Sequence, residues 1–228
     1  MCGRFTLRQP AERIAREFQL EEIPALEARY NIAPTQDILA IRHSPDGKEA
    51  GMFKWGLIPS WAKDASIGAK LINARSETVG EKPSFREAFK RRRCIIPVDG
   101  FYEWQRTGNK KQPYYFHFKD NRLFGFAGLW EKWRTPEGKS LESCSILTTE
   151  ANEVLSAIHH RMPVILHPDT YDLWLDEDER NRDSRKELLR PYPASGIVSY
   201  AVSKAINSPR HQGEELAQPI DECSVGIG

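Results

Sequence analysis

Several features that mark specialised protein classes are missing from this sequence. No apolar run approaches the roughly 18 to 20 residues of a transmembrane helix, and residues 6–10 are too polar for the core of a signal peptide. The formal net charge is only +1, so the overall charge does not identify a partner. We therefore expect a soluble cytoplasmic protein with no membrane attachment.

Cysteine is scarce, and its four occurrences are far apart. No Cys-x-x-Cys pair is present, so the sequence predicts neither a zinc site nor a redox motif, and a reducing compartment disfavours a disulfide framework. Adjacent histidines such as His159 and His160 usually point in different directions, which argues against a metal site there. We expect no metal and no cofactor. The cysteines are Cys2, Cys94, Cys144 and Cys223.

The second residue carries the most information in the chain. Removal of Met1, which is usual before a residue as small as cysteine, would leave Cys2 with an α-amine of pKa ~8 beside a thiol of pKa ~8.5. Such a 1,2-aminothiol can attack an amide or ester, or condense with an aldehyde to an imine that the thiol closes into a thiazolidine. Taken alone, a cysteine at position 2 is better explained as an accident, so other residues must support this role.

The order of apolar patterns predicts an α+β fold with a largely antiparallel central sheet and peripheral helices. Neither an internal repeat nor a flexible linker interrupts the chain, so we expect a single domain over residues 1–228. The predicted helices are 10–18, 84–93, 150–158, 169–175 and 184–190. The predicted strands are 38–41, 52–57, 71–74, 94–104, 113–118, 123–133, 143–148, 162–166 and 198–202.

Polar side chains in two of these strands suit chemistry. Glu103 lies in an aromatic segment where alternation places it beside Phe101, and burial would raise the pKa of its carboxyl and favour proton transfer. Taken alone, Glu103 is better explained by a structural salt bridge to an arginine. Asn73 and Arg75 point the same way from a strand and suit a carbonyl and a phosphate. A solvated edge strand is the alternative for this pair.

Further candidates lie outside those strands. His159 follows a predicted helix, whose dipole would favour its cationic form or simply hold a terminal charge there. Gly and Pro separate Trp55 from Trp61, a pattern that can expose an indole for stacking on a base, although tryptophan more often belongs to a core. Arg4 is the cation closest in sequence to Cys2.

Six short motifs occur in a specific order along the chain. They are MCGRF at 1–5, RYNIAP at 29–34, WGLIP at 55–59, NAR at 73–75, GFYEW at 100–104 and IHHRMP at 158–163. Together they resemble the SRAP family, the SOS-response-associated peptidase-like proteins, from residue 1 to about Pro219. The resemblance implies that the α+β fold has a barrel-like central sheet.

The resemblance also implies an activity in the DNA damage response. After loss of Met1, Cys2 would attack the ring-opened aldehyde of an abasic deoxyribose in single-stranded DNA and form a thiazolidine crosslink that shields the lesion. Asn73 would orient the cysteine and the sugar, Glu103 would transfer protons, and His159 would assist ring opening and a lyase-like reversal. The family commonly has Asp at the position of His160, so we expect the reversal rate to differ here.

Other residues would hold the DNA strand, by the same resemblance. Arg4, Arg75 and Arg161 would bind flanking phosphates, Trp55 would stack near the lesion, and Thr148 would contribute a hydroxyl to backbone contacts. The expected partner is therefore single-stranded DNA with abasic sites, and we expect a monomer.

Two alternatives belong to other functional classes. An N-terminal-cysteine hydrolase, either a thiol peptidase acting on its own N-terminus or a glutamine amidotransferase, could use Cys2 as nucleophile with Glu103 and His159. Class II amidotransferases also begin Met-Cys-Gly, but they continue with an apolar residue where this chain has Arg4. The third interpretation is a single-stranded DNA binding module in which Cys2 is idle.

Overall fold

Strands dominate the structure, a computed structural model that describes residues 2–135, 137–178 and 181–220. In the described residues thirteen strands form two sheets, and short helices lie outside them. This arrangement confirms the predicted α+β class with a largely antiparallel, barrel-like sheet. No helix in the described part of the chain is long and apolar enough to cross a membrane.

The larger sheet contains a closed ring of five strands in the order β10-β4-β3-β6-β9, because β9 pairs again with β10. The pairing of β10 with β4 is parallel, and the other four pairings of the ring are antiparallel. Closure removes unpaired edges, so the apolar side chains inside the ring share a continuous core. The ring strands are β3 (Asp37–Ser44), β4 (Gly47–Trp55), β6 (Arg93–Val98), β9 (Phe124–Arg134) and β10 (Ser140–Glu150).

Three short strands, two on β10 and one on β9, extend this ring. β5 (Asn73–Arg75) pairs in parallel with β10, and β11 (Arg161–Pro163) pairs with β10 from the other direction. β12 (Ile165–Leu166) pairs with β9. Thr148 of β10 therefore lies between Arg75 on one side and Pro163 on the other.

The second sheet is antiparallel and carries the N-terminal strand in its interior. Its order is β13-β8-β7-β1-β2, so β1 has a partner on each side. Phe5 of β1 packs edge-on against Trp55, with ring centroids 5.2 Å apart, and also contacts Phe126 at 6.3 Å. These contacts attach β1 to the ring. The strands are β1 (Arg4–Leu7), β2 (Arg29–Ile32), β7 (Gly100–Thr107), β8 (Lys110–Phe118) and β13 (Ile197–Ala201).

The helices are short and cover the outside of the sheets. In α1 the buried residues Ile14 and Phe18 lie one turn apart on the apolar face, as the sequence predicted. The α-helices are α1 (Ala11–Phe18), α2 (Arg86–Arg91), α3 (Glu153–Ser156), α4 (Tyr171–Leu175) and α5 (Arg182–Glu187). Short 3-10 helices occupy Ala65–Lys70, Pro168–Thr170, Lys204–Asn207 and Glu214–Ala217.

The predicted strand 94–104 is in fact two strands in different sheets. β6 ends at Val98 and β7 begins at Gly100, and the buried Asp99 between them binds the Thr6 hydroxyl and the Arg8 backbone amide. Gly100 is required at this crossing, because a Cβ atom there would lie 2.0 Å from the Tyr115 hydroxyl. Local alternation cannot show such a change of sheet.

Other boundaries differ in similar ways. The helix predicted from residue 150 begins only after Asn152, whose side chain accepts a hydrogen bond from the Leu155 amide, because β10 continues to Glu150. The strand predicted at 162–166 is divided at Val164 into β11 and β12. Ser84 does not cap α2, which follows Phe85. Both β1 and β2 are additional to the predicted strands.

Candidate functional site

Cys2 lies two residues before β1 and is buried in the interior of the protein. β1 pairs with β7 so that Arg4 faces Tyr102, and continuing this register places Gly3 opposite Glu103. The Cys2 side chain is 0% exposed, and its Sγ lies 3.8 Å from the carbonyl oxygen of Arg4. Burial raises the pKa of the Cys2 thiol, and the nearby Glu103 carboxylate raises it further. The thiol is therefore protonated at neutral pH.

Asn73 holds the backbone of residue 2. Its Nδ2 donates a hydrogen bond of 2.9 Å to the carbonyl oxygen of Cys2. The position of Asn73 is set by β5, where it pairs with Ile146 of β10. Its Oδ1 is buried and has no hydrogen-bond partner among the described residues, so this oxygen can accept a further donor at the site. The predicted orienting role of Asn73 thus has a direct contact behind it.

Glu103 is buried on β7, close to Cys2. The residue is only 2% exposed, and this burial raises the pKa of its carboxyl. A carboxyl with a raised pKa exchanges protons more readily near neutral pH than an exposed one. The structure therefore brings together Cys2, from the segment before β1, Asn73 from β5 and Glu103 from β7.

His159 lies in the turn between α3 and β11. Its Nδ1 lies 3.0 Å from the amide nitrogen of Arg161 and 3.2 Å from the Arg161 carbonyl oxygen, so the backbone of Arg161 holds the ring in place. Burial lowers the pKa of His159 to about 4, and the adjacent His160, whose ring stacks on it at 4.5 Å, acts in the same direction. The imidazole is neutral at pH 7, contrary to the cation that a helix C-terminus would favour.

Gln105 connects this turn to the rest of the site. Its Nε2 donates a hydrogen bond of 3.1 Å to the carbonyl oxygen of Ala157, two residues before His159. Gln105 follows Glu103 by two residues on β7, so both side chains point to the same face of the strand. The turn of His159 is in this way attached to the strand that carries Glu103.

The three predicted phosphate-binding arginines differ in accessibility. Arg75 is exposed at the end of β5, and Arg4 is half-buried, with its Nη1 donating to the Gly3 carbonyl oxygen at 2.7 Å. Arg161 is only 8% exposed and forms two contacts with Glu77, of 2.5 and 3.0 Å, while Nη2 also donates to the Thr148 carbonyl oxygen. Arg161 therefore joins β11 to β10, and its guanidinium is already engaged.

Trp55 and Thr148 differ from the expected DNA contacts, because the structure places both inside the protein. Trp55 is 0% exposed and its Nε1 donates to the Ile72 carbonyl oxygen, so no base can stack on the indole of this fold. Its position follows from alternation along β4, where Phe53 is buried on the same face. Thr148 is buried in the middle of three paired strands, and its hydroxyl lies 3.4 Å from the Ala74 carbonyl oxygen.

Trp61 has the exposure that was expected of Trp55. It is 59% exposed and borders an open depression of about 420 Å³ that also contains Ile67 and Lys70. Its loop leaves the barrel at Gly56, where φ is +134° and a Cβ atom would lie 2.6 Å from the Gly68 carbonyl oxygen. The signal in the sequence is strand parity: Trp55 continues the buried face of a strand, whereas Trp61 follows the Pro59 turn.

No group of three or more His, Cys, Asp or Glu side chains that could hold a metal ion occurs among the described residues. The candidate site presents a cysteine thiol at residue 2, a primary amide, a buried carboxyl and a neutral imidazole. This set, on a closed mixed sheet, defines a class of proteins with a candidate N-terminal-cysteine nucleophile.

Comparison with known proteins gives that class a family. The family described as SOS response associated peptidase (SRAP) matches residues 1–209, and the chain belongs to this family. The resemblance drawn from the six sequence motifs is thereby confirmed.

Relatives and solved structures agree with this assignment. The abasic site processing protein YoqW of Bacillus subtilis is 46% identical over 222 residues, which cover 96% of this chain and 99% of YoqW. The abasic site processing protein HMCES of Gallus gallus is 36% identical over 74% of this chain and 57% of its own length. A crystal structure from Bacteroides thetaiotaomicron superposes with a TM-score of 0.85 at 29% identity, over 96% of this chain and all of that one.

Proposed function

We propose that this protein processes abasic sites in single-stranded DNA by forming a thiazolidine crosslink through Cys2 after Met1 is removed. The observation that carries the proposal is the hydrogen bond from Asn73 to the Cys2 carbonyl oxygen, beside the buried Glu103. It fixes the backbone of an aminothiol next to a proton-exchanging group. The names of the relatives, abasic site processing proteins, supply the substrate.

The crosslink forms by condensation without an oxidant or a reductant. The α-amine of Cys2 adds to the aldehyde carbon of the ring-opened sugar, and loss of water gives an imine. The sulfur then adds to the imine carbon, a C–S bond forms, and the electron pair of the C=N bond and the thiol proton end on nitrogen. One water is lost for each crosslink. A protonated thiol, which burial favours at Cys2, brings that proton with it.

Glu103 and His159 divide the proton transfers. The raised pKa of Glu103 lets its carboxyl accept a proton from the amine and return it to the departing hydroxyl. His159 is neutral, so its imidazole can donate a hydrogen bond to the sugar oxygen during ring opening. Asn73 Oδ1 accepts a hydrogen bond from the amine of Cys2.

The burial of Cys2 favours single-stranded over double-stranded DNA as the substrate. A buried thiol cannot reach a sugar inside a base-paired duplex, whereas an unpaired nucleotide can turn into the site. Arg75 and Arg4 supply charge for the flanking phosphates, and Trp61 supplies an exposed indole for stacking. Binding before the covalent step is expected to be modest in affinity and sensitive to salt.

A thiol peptidase is the second candidate, favoured by the description of the family itself. Cysteine peptidases use a thiolate, whose formation requires a lowered pKa of the thiol. At Cys2 burial and the charge of Glu103 have the opposite effect. The condensation, which begins with the amine, does not depend on a thiolate, and the crosslink is therefore the better supported activity.

The test is the intact mass of the protein after incubation with a single-stranded oligonucleotide that contains one abasic site. We expect an adduct of protein plus DNA less one water, stable without borohydride, in protein that lacks Met1. Cys2→Ala is the matched control, because it keeps the α-amine and removes only the sulfur. It should give an adduct only when borohydride traps the imine.

Two results would contradict the proposal. One is the absence of an adduct from wild-type protein that lacks Met1. The other is an adduct of Cys2→Ala that withstands denaturant without borohydride. Peptide cleavage or release of ammonia from glutamine that requires Cys2 would instead favour the hydrolase.

A further inference from the structure

A carboxylate is paired with one of the arginines expected to bind phosphate. Glu77, in the turn after β5, accepts hydrogen bonds from Nη1 and Nη2 of Arg161 at 2.5 and 3.0 Å. The hydrogen bonds from Arg161 lower the pKa of the Glu77 carboxyl, and the charge of Arg75 acts in the same direction. Glu77 is therefore ionised at neutral pH and lies close to two cations that were expected to meet DNA.

Glu77 occupies the accessible edge of the Arg161 guanidinium. A guanidinium binds two oxygens of a carboxylate or a phosphate through a pair of neighbouring N–H groups. Glu77 takes the pair on Nη1 and Nη2, and Nη2 also donates to the Thr148 carbonyl oxygen at 2.6 Å. Nε is buried and has no hydrogen-bond partner among the described residues. A phosphate can therefore make two hydrogen bonds to Arg161 only in the place that Glu77 holds.

The side chain of Glu77 has room to leave this place. It is 45% exposed and borders an open depression of about 400 Å³, which the exposed Lys186 also lines. Arg161, in contrast, is buried and stays bound to the Thr148 carbonyl oxygen, which also accepts a hydrogen bond from the Ser76 amide. The ion pair thus joins a movable anion to a fixed cation.

Arg75 brings the DNA backbone close to this ion pair. It is exposed, precedes Glu77 by two residues, and pairs with Thr148 in the register of β5 and β10. Arg161 contacts the carbonyl oxygen of the same Thr148. A strand whose phosphate binds Arg75 therefore carries negative charge close to the Glu77 carboxylate, and like charges at such a contact oppose binding.

We propose that Glu77 competes with a DNA phosphate for Arg161 and thereby weakens the binding of lesion-free single strands. The ion pair has no net charge, so a phosphate that displaces the carboxylate gains less free energy than it would from an unpaired arginine. Lesion-free DNA then dissociates readily, whereas an abasic strand is retained by the covalent bond. The inference rests on the proposed function for its ligand, and it adds a residue that sets selectivity for the lesion.

The experiment measures non-covalent binding of a lesion-free single-stranded oligonucleotide by fluorescence anisotropy at several salt concentrations. We expect Glu77→Gln to bind about fivefold more tightly than the wild type at low salt, with a salt slope steeper by about 0.7, the value for one further phosphate contact. The control is Glu81→Gln, which removes the same charge from an exposed position in the same turn. It should bind within about twofold of the wild type, because an exposed charge without a direct contact is screened by salt.

Two further variants separate the contact with Arg161 from a general effect of charge. Glu77→Asp keeps the charge but is one methylene shorter, so it loses the paired hydrogen bonds and should bind with intermediate affinity. In an Arg161→Gln background, Glu77→Gln should not change the affinity, because the cation for which the carboxylate competes is gone. Urea midpoints of all variants establish that they are folded, and Glu77→Asp supplies its answer with Arg161 intact.

Selectivity is tested by crosslinking to an abasic oligonucleotide in the presence of excess lesion-free strand. Crosslinking by Glu77→Gln should be inhibited at about fivefold lower concentrations of the lesion-free strand than crosslinking by the wild type, in proportion to its tighter binding. A purely structural role of Glu77 would not move this inhibition constant.

Several results would overturn the inference. They are unchanged or weaker binding by Glu77→Gln, an equal effect of Glu81→Gln, wild-type affinity of Glu77→Asp, or a full effect of Glu77→Gln in the Arg161→Gln background. Any of these, together with a normal crosslink in the wild type, rejects the competition and retains the proposed function. Tighter binding by Glu77→Gln without any crosslink in the wild type does the reverse, and Glu77 then limits the affinity of a non-covalent DNA-binding protein.

Discussion

Two buried carboxyl groups, four residues apart in the sequence, have opposite surroundings. Asp99 accepts hydrogen bonds from the Thr6 hydroxyl at 2.5 Å, from the Arg8 amide at 2.6 Å and from the Arg8 guanidinium at 3.0 Å. At Glu103 loss of hydration dominates and raises the pKa of the carboxyl. Both side chains lie beside β1, one at each end.

This contrast separates stability from reactivity along a single strand. The cluster around Asp99 holds the far end of β1 and thereby fixes the register that places Cys2 beside Glu103. Glu103 itself is held in an environment that disfavours its charged form, which costs free energy but suits proton exchange. Changes at the two carboxyls should therefore alter the stability of the fold in opposite directions.

The largest effect is expected from Asp99→Ala. It leaves the Thr6 hydroxyl and the Arg8 cation without their buried acceptor, which should lower the free energy of unfolding by about 3 kcal/mol. Urea unfolding measures this loss. Asp46→Ala, in an exposed turn, is the control and should change the free energy by less than about 0.5 kcal/mol. Equal effects of the two variants would show that Asp99 does not anchor β1.

Gly100→Ala should weaken the same attachment of β1 by steric overlap. The added methyl group would lie 2.0 Å from the Tyr115 hydroxyl, and relief of that overlap should cost about 1 to 3 kcal/mol in unfolding free energy. Gly80→Ala is a matched control, since its Cβ atom would meet nothing closer than 3.8 Å. Crosslinking by Gly100→Ala should slow as β1 shifts. A normal urea midpoint for Gly100→Ala would argue against the tight crossing.

Glu103→Gln should have the opposite effect on stability from Asp99→Ala: we expect it to stabilise the fold while it slows crosslinking. A carboxyl whose pKa is raised on folding contributes stability below its unfolded pKa of about 4.5 and loses it as pH rises through the folded pKa. Glutamine does not titrate, so the advantage of the variant should be absent near pH 4 and grow toward pH 8. In thermal unfolding, the Tm of the variant should rise by about 2 to 4 °C for each kcal/mol gained in free energy of unfolding. A lower midpoint than the wild type at pH 8 would contradict this prediction.

At His159 the expected effect is confined to acid pH. Because the pKa falls from about 6.5 to about 4 on folding, the unfolded chain binds a proton first, and the wild type should lose stability as pH drops between these values. His159→Gln should lack this part of the pH dependence, whereas His43→Gln, at an exposed position, should keep it. Urea midpoints between pH 7 and pH 4 measure the difference. Parallel curves for His159→Gln and the wild type would show that His159 is not held neutral by the fold.

Local patterns in the sequence were sufficient for the class of fold and for most strands. The α+β sheet and the family are confirmed, since apolar alternation and the order of the six motifs are both properties of short segments. Local patterns could not predict the closure of the ring, because β4 and β10 pair in parallel across about 90 residues of intervening chain. β1 is only four residues long, too short for a periodic signal.

The sequence predicts site residues whose role depends on the chemistry of one side chain. It is less informative for residues whose role depends on their exposure to solvent. Cys2 and Asn73 meet as the motifs suggested. Trp55 and Thr148 carry suitable groups, but the pairing of their strands buries them. The neutral state of His159 depends on burial and on the stacked ring of His160, neither of which the sequence displays.

The parallel pairing of β5 with β10 has a consequence for the order of events during synthesis. Asn73 takes its position from Ile146, which leaves the ribosome more than 70 residues later, and pairings between distant segments form slowly. Until then nothing in β5 is available to hold residue 2. The nascent N-terminus therefore stays accessible to a methionine-removing enzyme for several seconds at ordinary elongation rates, roughly 5 to 20 residues per second. Under the proposed function, this delay would give that enzyme time to expose the α-amine of Cys2 before the site assembles.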